Sequence, residues 1–267
     1  MSDFAEAFWA EYPRDVVMVE GVDALSYLHS QVSQDLQPLA VGASAWTLLL
    51  EPTGKVDVLA RVLRSGDTAY VLDVDAGSGD MLIARLMRFK IRVKAEVSVI
   101  PWSCIAVRGI EAGSVAPSAG GIAVVTWWSD PSIGVDLLGP APQPPAGVRP
   151  GTAEELERER IAAAWPAMGS EITEATIPGE TGLADVAVSF TKGCYPGQEL
   201  VERMDSRGAG APRRLVALTV ADGAHAGDPI VIDGTEVGVL TSVAGELALG
   251  SVRRSVADEA ITNLRHR

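Results

Sequence analysis

The stretch Ser189-Phe190-Thr191-Lys192-Gly193-Cys194-Tyr195-Pro196-Gly197-Gln198-Glu199-Leu200-Val201-Glu202-Arg203 stands apart from the rest of the chain. Residues 187–190 read as the end of a strand. Gly193 and the Pro196-Gly197 pair force a turn and let other atoms approach the backbone closely. From Gln198 to Met204 the pattern is helical. Cys194 then lies just ahead of a helix N-terminus with Lys192 two residues away. Both features favour a thiolate and lower the thiol pKa from about 8.5. Tyr195 offers an aromatic face and Lys192 a cation for an anion. The same residues also describe a tight strand–helix turn whose cysteine is a small buried hydrophobe. Residue types alone leave both readings open.

Outward from this bend, the whole chain reads as globular. It has 267 residues, of which 47% are apolar and 21% charged, enough for one or two domains with a substantial core. Thirty-five acidic residues against 22 basic ones give a net charge of −13. Such a surface repels phosphate backbones and anionic membranes, so neither non-specific nucleic acid nor a membrane is an expected partner. No apolar window reaches the ~20 residues of a membrane span, and the first fifteen residues lack a secretory pattern. Cys104 and Cys194 are far apart, and no CxxC occurs. His29, His225 and His266 lie on separate segments without the close pairs of a zinc site. No metal site is expected, and the natural compartment is a reducing cytoplasm.

The first half alternates between helix and strand. Residues 16–19 are a short apolar run. Asp23 is a suitable N-cap, and Ala24, Leu25, Leu28, Val32 and Leu36 follow at helical spacing, predicting a helix over 23–36. Residues 45–50, 56–63 and 69–74 read as strands joined by Pro52-Thr53-Gly54-Lys55 and Ser65-Gly66-Asp67 turns. Residues 81–87 look helical. Residues 88–94 alternate strictly, which predicts a strand with Phe89, Ile91 and Val93 facing the core. Its other face would carry Arg88, Lys90, Arg92 and Lys94, either as a solvated edge or as an anion-facing strip. Strands follow within 97–107 and 121–128. Residues 139–151, rich in Pro and Gly, form a connector. Thr152 and Glu155 make a capping box for a helix ending near Trp165-Pro166. Residues 214–220, 229–232, 237–243 and 247–252 are short strands of a small all-β module. Trp9, Trp46, Trp102, Trp127, Trp128 and Trp165 are expected in the core, with Trp165 facing any cavity. No Walker A, GxGxxG after a strand, GxSxG or HExxH is present.

Lys192-Gly193-Cys194-Tyr195-Pro196-Gly197-Gln198-Glu199 resembles the KGC[YF]xGQE signature of the YgfZ family, folate-binding proteins related to the aminomethyltransferase (T-protein) of the glycine cleavage system. The likeness extends over most of the chain. Gly21-Val22-Asp23-Ala24 through Gln31-Val32-Ser33-Gln34-Asp35 resembles the family's opening helix. Pro52-Thr53-Gly54-Lys55 resembles its strand turn, and Ile177-Pro178-Gly179-Glu180-Thr181-Gly182-Leu183 the stretch before the signature. Gly238-Val239-Leu240-Thr241-Ser242 and Ala248-Leu249-Gly250 resemble its terminal module.

The resemblance implies an α+β fold: two mixed α/β subdomains over 1–205 and a C-terminal β-barrel over 212–267, around a central hole of folate size. It implies tetrahydrofolate, with or without a polyglutamyl tail, as cofactor. It also implies an accessory role toward iron–sulfur enzymes or cluster carriers and, through them, tRNA modification. Carried over residue by residue, Lys192, Gly193, Tyr195, Gly197, Gln198, Glu199, Arg203, Glu180 and Arg160 fall on the folate-binding pattern. Arg88, Lys90 and Arg92 are further candidates for the ligand's carboxylates, and Cys194 is the reactive thiol. Two departures argue against glycine-cleavage chemistry. Where the aminomethyltransferase has its acid/base aspartate this chain has Val58, which cannot transfer a proton. Where it has a pterin-binding glutamate this chain has Ala162. A folate-dependent one-carbon transferase or demethylase would have to use Asp57 or Glu180 instead. A third reading is a scaffold that has lost the ligand.

Overall fold

The computed structural model describes residues 6–126, 134–206 and 210–264. The elements run β1 (Phe8–Glu11), β2 (Arg14–Glu20), α1 (Ala24–Gln31), β3 (Ser44–Leu50), β4 (Val56–Arg64), β5 (Ala69–Asp75), α2 (Gly79–Arg88), β6 (Glu96–Val99), β7 (Ser103–Arg108), β8 (Ile122–Val125), β9 (Gly134–Gly139) and β10 (Arg149–Pro150). There follow α3 (Ala153–Ala162), α4 (Ala184–Ala187), α5 (Gln198–Ser206), β11 (Arg213–Thr219), β12 (Pro229–Ile232), β13 (Thr235–Ala244), β14 (Leu247–Arg253) and α6 (Asp258–Leu264). The expected placements of Trp127 and Trp128 lie outside the described residues.

The chain divides into two compact units. The first comprises Met1–Leu49, Asp57–Leu156 and Val186–Pro196; the second comprises Leu50–Val56, Glu157–Asp185 and Gly197–Arg267. In the first unit one sheet has the order β3-β4-β5-β2-β6 and another the order β10-β1-β7-β9-β8. Strand β4 is buried on both faces over residues 58–63 because both are covered. Val58, Ala60 and Val62 join a core with Leu28 of α1 and Leu82 and Leu86 of α2. On the opposite face Leu63 meets Val16, Val71, Cys104, Val124 and Leu138, which closes the two sheets on each other. Each fully buried Val or Leu here contributes ~1.5–3 kcal/mol.

A chain of charges crosses that inter-sheet layer. Arg61 donates through Nε to Asp73 at 2.9 Å and through Nη1 to Asp136 at 2.7 Å. Arg14 Nε donates to Asp73 at 2.8 Å, and Arg108 Nη1 to Asp136 at 2.8 Å. The Trp46 ring lies 5.1 Å from the Arg61 guanidinium carbon. Burial pushes the Asp136 carboxyl up, but Arg108 and Arg61 outweigh it and hold the pKa below the usual value.

The second unit holds the antiparallel sheet β11-β14-β13-β12. Val216, Leu218, Ile230, Leu240 and Val252 form its core with Ile261 of α6. Bulges interrupt the register between Ile230 and Val231 and between Leu240 and Ser242. Among the described residues the ladder leaves β11 and β12 at its edges and does not close into the expected barrel. The capping box forms as read: Glu155 N–H donates to Thr152 Oγ1 at 3.1 Å and Thr152 N–H to a Glu155 carboxylate oxygen at 2.8 Å.

Residues 187–190 are not a strand end: Ala187 is the last residue of helix α4 and no strand follows it before the bend. Two further expectations fail instructively. Helix α1 stops at Gln31, not at 36, and Val32 is extended. Residues 88–94 are not a strand: Arg88 is the last residue of α2, and the chain then bends through Arg92 at φ +56°. Ile91 is exposed as a result. The alternating pattern was a helix end followed by a bend, with Phe89, Lys90 and Val93 half-buried.

Candidate functional site

The early end of α1 explains the signature bend. A helix terminus leaves carbonyls without intrahelical partners. Lys192, 9% exposed, sends its ammonium to them: Nζ donates to the carbonyls of His29, of Val32 at 2.6 Å and of Gln34 at 3.2 Å. Ser33 and Gln34, freed from the helix, bond the segment before the signature. Ser33 Oγ donates to Ala187 O at 2.6 Å, Gln34 Nε2 to Val186 O at 2.7 Å, and Ser189 N–H to Ser33 O at 2.9 Å. The α1 exit and the signature bend, far apart in sequence, are therefore one latch. Burial pushes Lys192 down to about 8, with Asp35 opposing. Burial and then the Lys192 charge lower His29 as well, against the pull of Asp35.

This geometry gives Lys192 a structural task; its ammonium faces carbonyls, not an open ligand surface. Tyr195, also buried, has its ring centroid 5.1 Å from Nζ. Between them Gly193 and Cys194 are exposed, and Phe190 is exposed on the approach. Cys194 is thus not the buried hydrophobe that one reading allowed. Cys104 is: it lies between the two sheets, and burial, then Asp136, raises its thiol pKa far above the ordinary value.

The glycines after the bend have a separate role. Gly197 has φ +82°, and a Cβ there would lie 2.4 Å from Glu51 O. Gly54 has φ +91°, and a Cβ would lie 2.4 Å from Leu200 Cβ. Two sequence motifs therefore meet backbone to backbone, the Pro52-Thr53-Gly54 turn against the start of α5.

The remaining expected site residues are distributed over both units. Asp57 sits 3.2 Å from Arg85 Nε, and Arg85 Nη1 donates to Gln31 Oε1 at 3.1 Å. Arg85 is buried among the apolar positions of α2, and burial lowers its pKa against the pull of Asp57. Val58 is fully buried. Arg160 is enclosed in a network: Nη1 to Glu171 at 3.0 Å, Nη2 to Ser242 Oγ at 2.7 Å and to Glu157 at 2.6 Å. Glu171 also accepts from Ser242 Oγ at 2.7 Å. Trp165 is buried, and its carbonyl accepts from Arg160. A Glu180 carboxylate oxygen lies 3.4 Å from Ile177 N. Gln198 Nε2 donates to Glu202, and Glu199 pairs with Arg203 at 3.5 Å, along α5. Arg88 and Arg92 are exposed and Lys90 is half-buried. Sequence reading missed Ser33, Gln34 and Arg85. Only Arg85 left a signal, a charge on the apolar stripe of an amphipathic helix.

No protein-family model matches the chain. It is 28% identical over 200 residues to a protein of Haemophilus influenzae named only "Uncharacterized protein", covering 73% of this chain and 67% of that one. It is 27% identical over 267 residues to the iron-sulfur cluster assembly factor IBA57 homolog, mitochondrial, of Chaetomium globosum, covering 87% of this chain and 61% of that one. It is 26% identical to an aminomethyltransferase of Rippkaea orientalis, covering 89% and 76%. The chain thus spans about two thirds or less of the first two relatives. Among solved structures it resembles glycine cleavage system aminomethyltransferase T from Bartonella henselae, with a TM-score of 0.74 over 93% of this chain and 79% of that one at 18% identity. The protein therefore has the aminomethyltransferase T fold. Sequence relatives with a functional name include cluster assembly factors, an aminomethyltransferase and a "Putative transferase".

Proposed function

We propose that this protein is a YgfZ-like, tetrahydrofolate-binding accessory factor in iron–sulfur cluster assembly, and not a glycine-cleavage enzyme. The observation that carries the reading is an exposed Cys194 on a latched bend, in a chain whose expected acid/base position is the buried Val58. The name of the Chaetomium globosum relative, similar over 87% of this chain, supports it. A single thiolate cannot hold a cluster, which takes about four ligands. Cys194 acts by contact with a cluster shared with a carrier or client. Clients that modify tRNA would connect the factor to that process, and the cytoplasm is the proposed site of action.

For folate the residues fit one end of the ligand better than the other. Arg88, Lys90 and Arg92 have no carboxylate partner among the described residues and suit the acidic glutamyl end. At the two positions from which the resemblance would draw polar groups the chain offers Val58 and Ala162. Arg160 beside the latter is held by Glu157 and Glu171. Asp57 is paired with Arg85. Calorimetry with tetrahydrofolate tests the ligand: binding without turnover of methylated amines is expected. Formaldehyde or methylene-tetrahydrofolate production would make the protein an enzyme, and no binding would reduce it to a scaffold. Cys194→Ser is expected to fail to restore iron–sulfur enzyme activity in a deletion strain. Full restoration would remove the thiol from the mechanism.

A further inference from the structure

The bend after α2 displays an unusual combination of groups. Ile91 is 76% exposed, and Met87, in the last turn of α2, is 50% exposed. Val22 is 74% exposed on a loop bonded to the same segment: Lys94 N–H donates to Asp23 Oδ2 at 2.7 Å and Asp23 N–H to Lys94 O at 3.3 Å. In the same segment Arg88, Arg92 and Lys94 are exposed and Lys90 is half-buried. None of the four cations forms an ion pair among the described residues. The acids close by in sequence are Asp23, whose carboxylate is engaged by the Lys94 amide, and Glu20 and Glu96, which face each other across the β2–β6 pair.

The knuckle is held in this shape. Phe89 lies under two guanidinium groups, with its ring centroid 4.4 Å from Arg85 and 5.6 Å from Arg88. Tyr27 Oη donates to Leu86 O, and Arg85 reaches Gln31, so the end of α2 is tied to α1. Helix α1 ends in the carbonyls that Lys192 caps. The outward Ile91 is thus built on the element that also supports the signature bend.

We infer that the exposed Val22, Met87 and Ile91, with Arg88, Arg92 and Lys94 of the same segment, dock a partner protein through an acidic segment that carries apolar side chains. The argument is charge complementarity. In a chain of net charge −13, four cations in seven residues, with no ion pair among the described residues, outnumber the neighbouring Glu20, Asp23 and Glu96 and form a local patch of opposite sign. At physiological salt, charges beyond ~8 Å are largely screened, so a docking segment reads this patch rather than the whole molecule. An extended anionic surface, such as a membrane or nucleic acid, also meets the acidic remainder. Free carboxylates engage the cations but leave Ile91, Val22 and Met87 in water, whereas apolar anchors ringed by polar groups are how protein interfaces are built. The inference does not require folate binding, and it competes with the glutamyl-end role proposed above for Arg88, Lys90 and Arg92; the pentaglutamate comparison separates the two.

The test uses the full chain and a fluorescein-labelled peptide of alternating glutamate and leucine, with pentaglutamate and vesicles containing phosphatidylserine as comparisons. Fluorescence anisotropy is expected to show peptide binding that weakens as salt rises. Ile91→Glu should weaken it about tenfold or more. Lys94→Glu should weaken it and flatten the salt dependence. Ile91 is exposed, so its substitution should leave the melting temperature unchanged, which separates lost docking from lost folding. No peptide binding at millimolar concentration, or equal binding by Ile91→Glu, overturns the inference. Pentaglutamate binding as tightly as the peptide reduces the patch to a carboxylate site and overturns it. Vesicle binding that depends on Ile91 assigns the surface to a membrane and overturns it as well.

Discussion

Replacing Lys192 by Met tests the latch directly. The substitution keeps length and apolar volume and removes the ammonium that serves the His29, Val32 and Gln34 carbonyls. The two close charge-assisted bonds are worth ~1.5–3 kcal/mol each. Against this, the wild-type protein buries a cation. The fall of Lys192 from 10.5 to about 8 corresponds to ~3 kcal/mol at neutral pH. The net expectation at pH 7 is a loss of roughly 1–3 kcal/mol, or about 3–10 °C in melting temperature for a protein of this size. The pH dependence is more telling than the loss itself. Folded Lys192 holds its proton less tightly than the unfolded chain does. Between about 8 and 10.5 the unfolded state therefore binds more protons, and wild-type stability gains from this group as pH rises. The neutral amine still donates to the carbonyls, while Lys192→Met has nothing to titrate. Urea unfolding at pH 7, 8.5 and 10, followed by tryptophan fluorescence, should show the gap between the two proteins widening with pH. Other alkaline titrations occur in both and cancel. Coincident stabilities at pH 7, with a gap that stays flat to pH 10, would refute the buried clamp.

Two more outcomes follow from the burial pattern. In the native protein a thiol reagent should label one cysteine per chain, Cys194, with Cys104 reacting only on unfolding; equal rates at the two sites would contradict their placement. Asp136→Asn should cost about 3–5 kcal/mol, because it leaves Arg61 and Arg108 around a neutral group. The Asp136 pKa is held below its usual value, so its stabilisation is present above about pH 4 and is lost as pH falls through the folded value. The variant should therefore show a shallower loss of stability in acid, and identical slopes would count against the charge chain.

Local pattern was enough to read most elements. The strands of the first sheet, the α3 capping box and the strands of the second unit follow from apolar spacing and turn residues, which report each segment's own burial. The failures came where distant segments decide the outcome. Hydrophobic spacing carries α1 through Val32 and Leu36, both of which are indeed buried. The helix nevertheless ends at Gln31, because Ser33 and Gln34 bond residues 186–189 and Lys192 takes the terminal carbonyls. Nothing within residues 23–36 records those partners. The alternation over 88–94 misled for the converse reason, since period two is also what a helix end followed by a left-handed bend can show by chance.

The candidate site was legible in residue type, and its packing role was not. A lysine two positions from a cysteine reads as an activator of the thiol or an anchor for an anion. Yet a long apolar stem ending in three donors equally suits the capping of a helix end. Burial decides between these uses: Lys192 is enclosed and turned toward carbonyls, while Cys194 is left exposed. The division of labour is then physical. Lys192, Ser33 and Gln34 fix the bend from within, Gly197 fits its far end against the Gly54 turn, and the Cys194 thiol is left exposed.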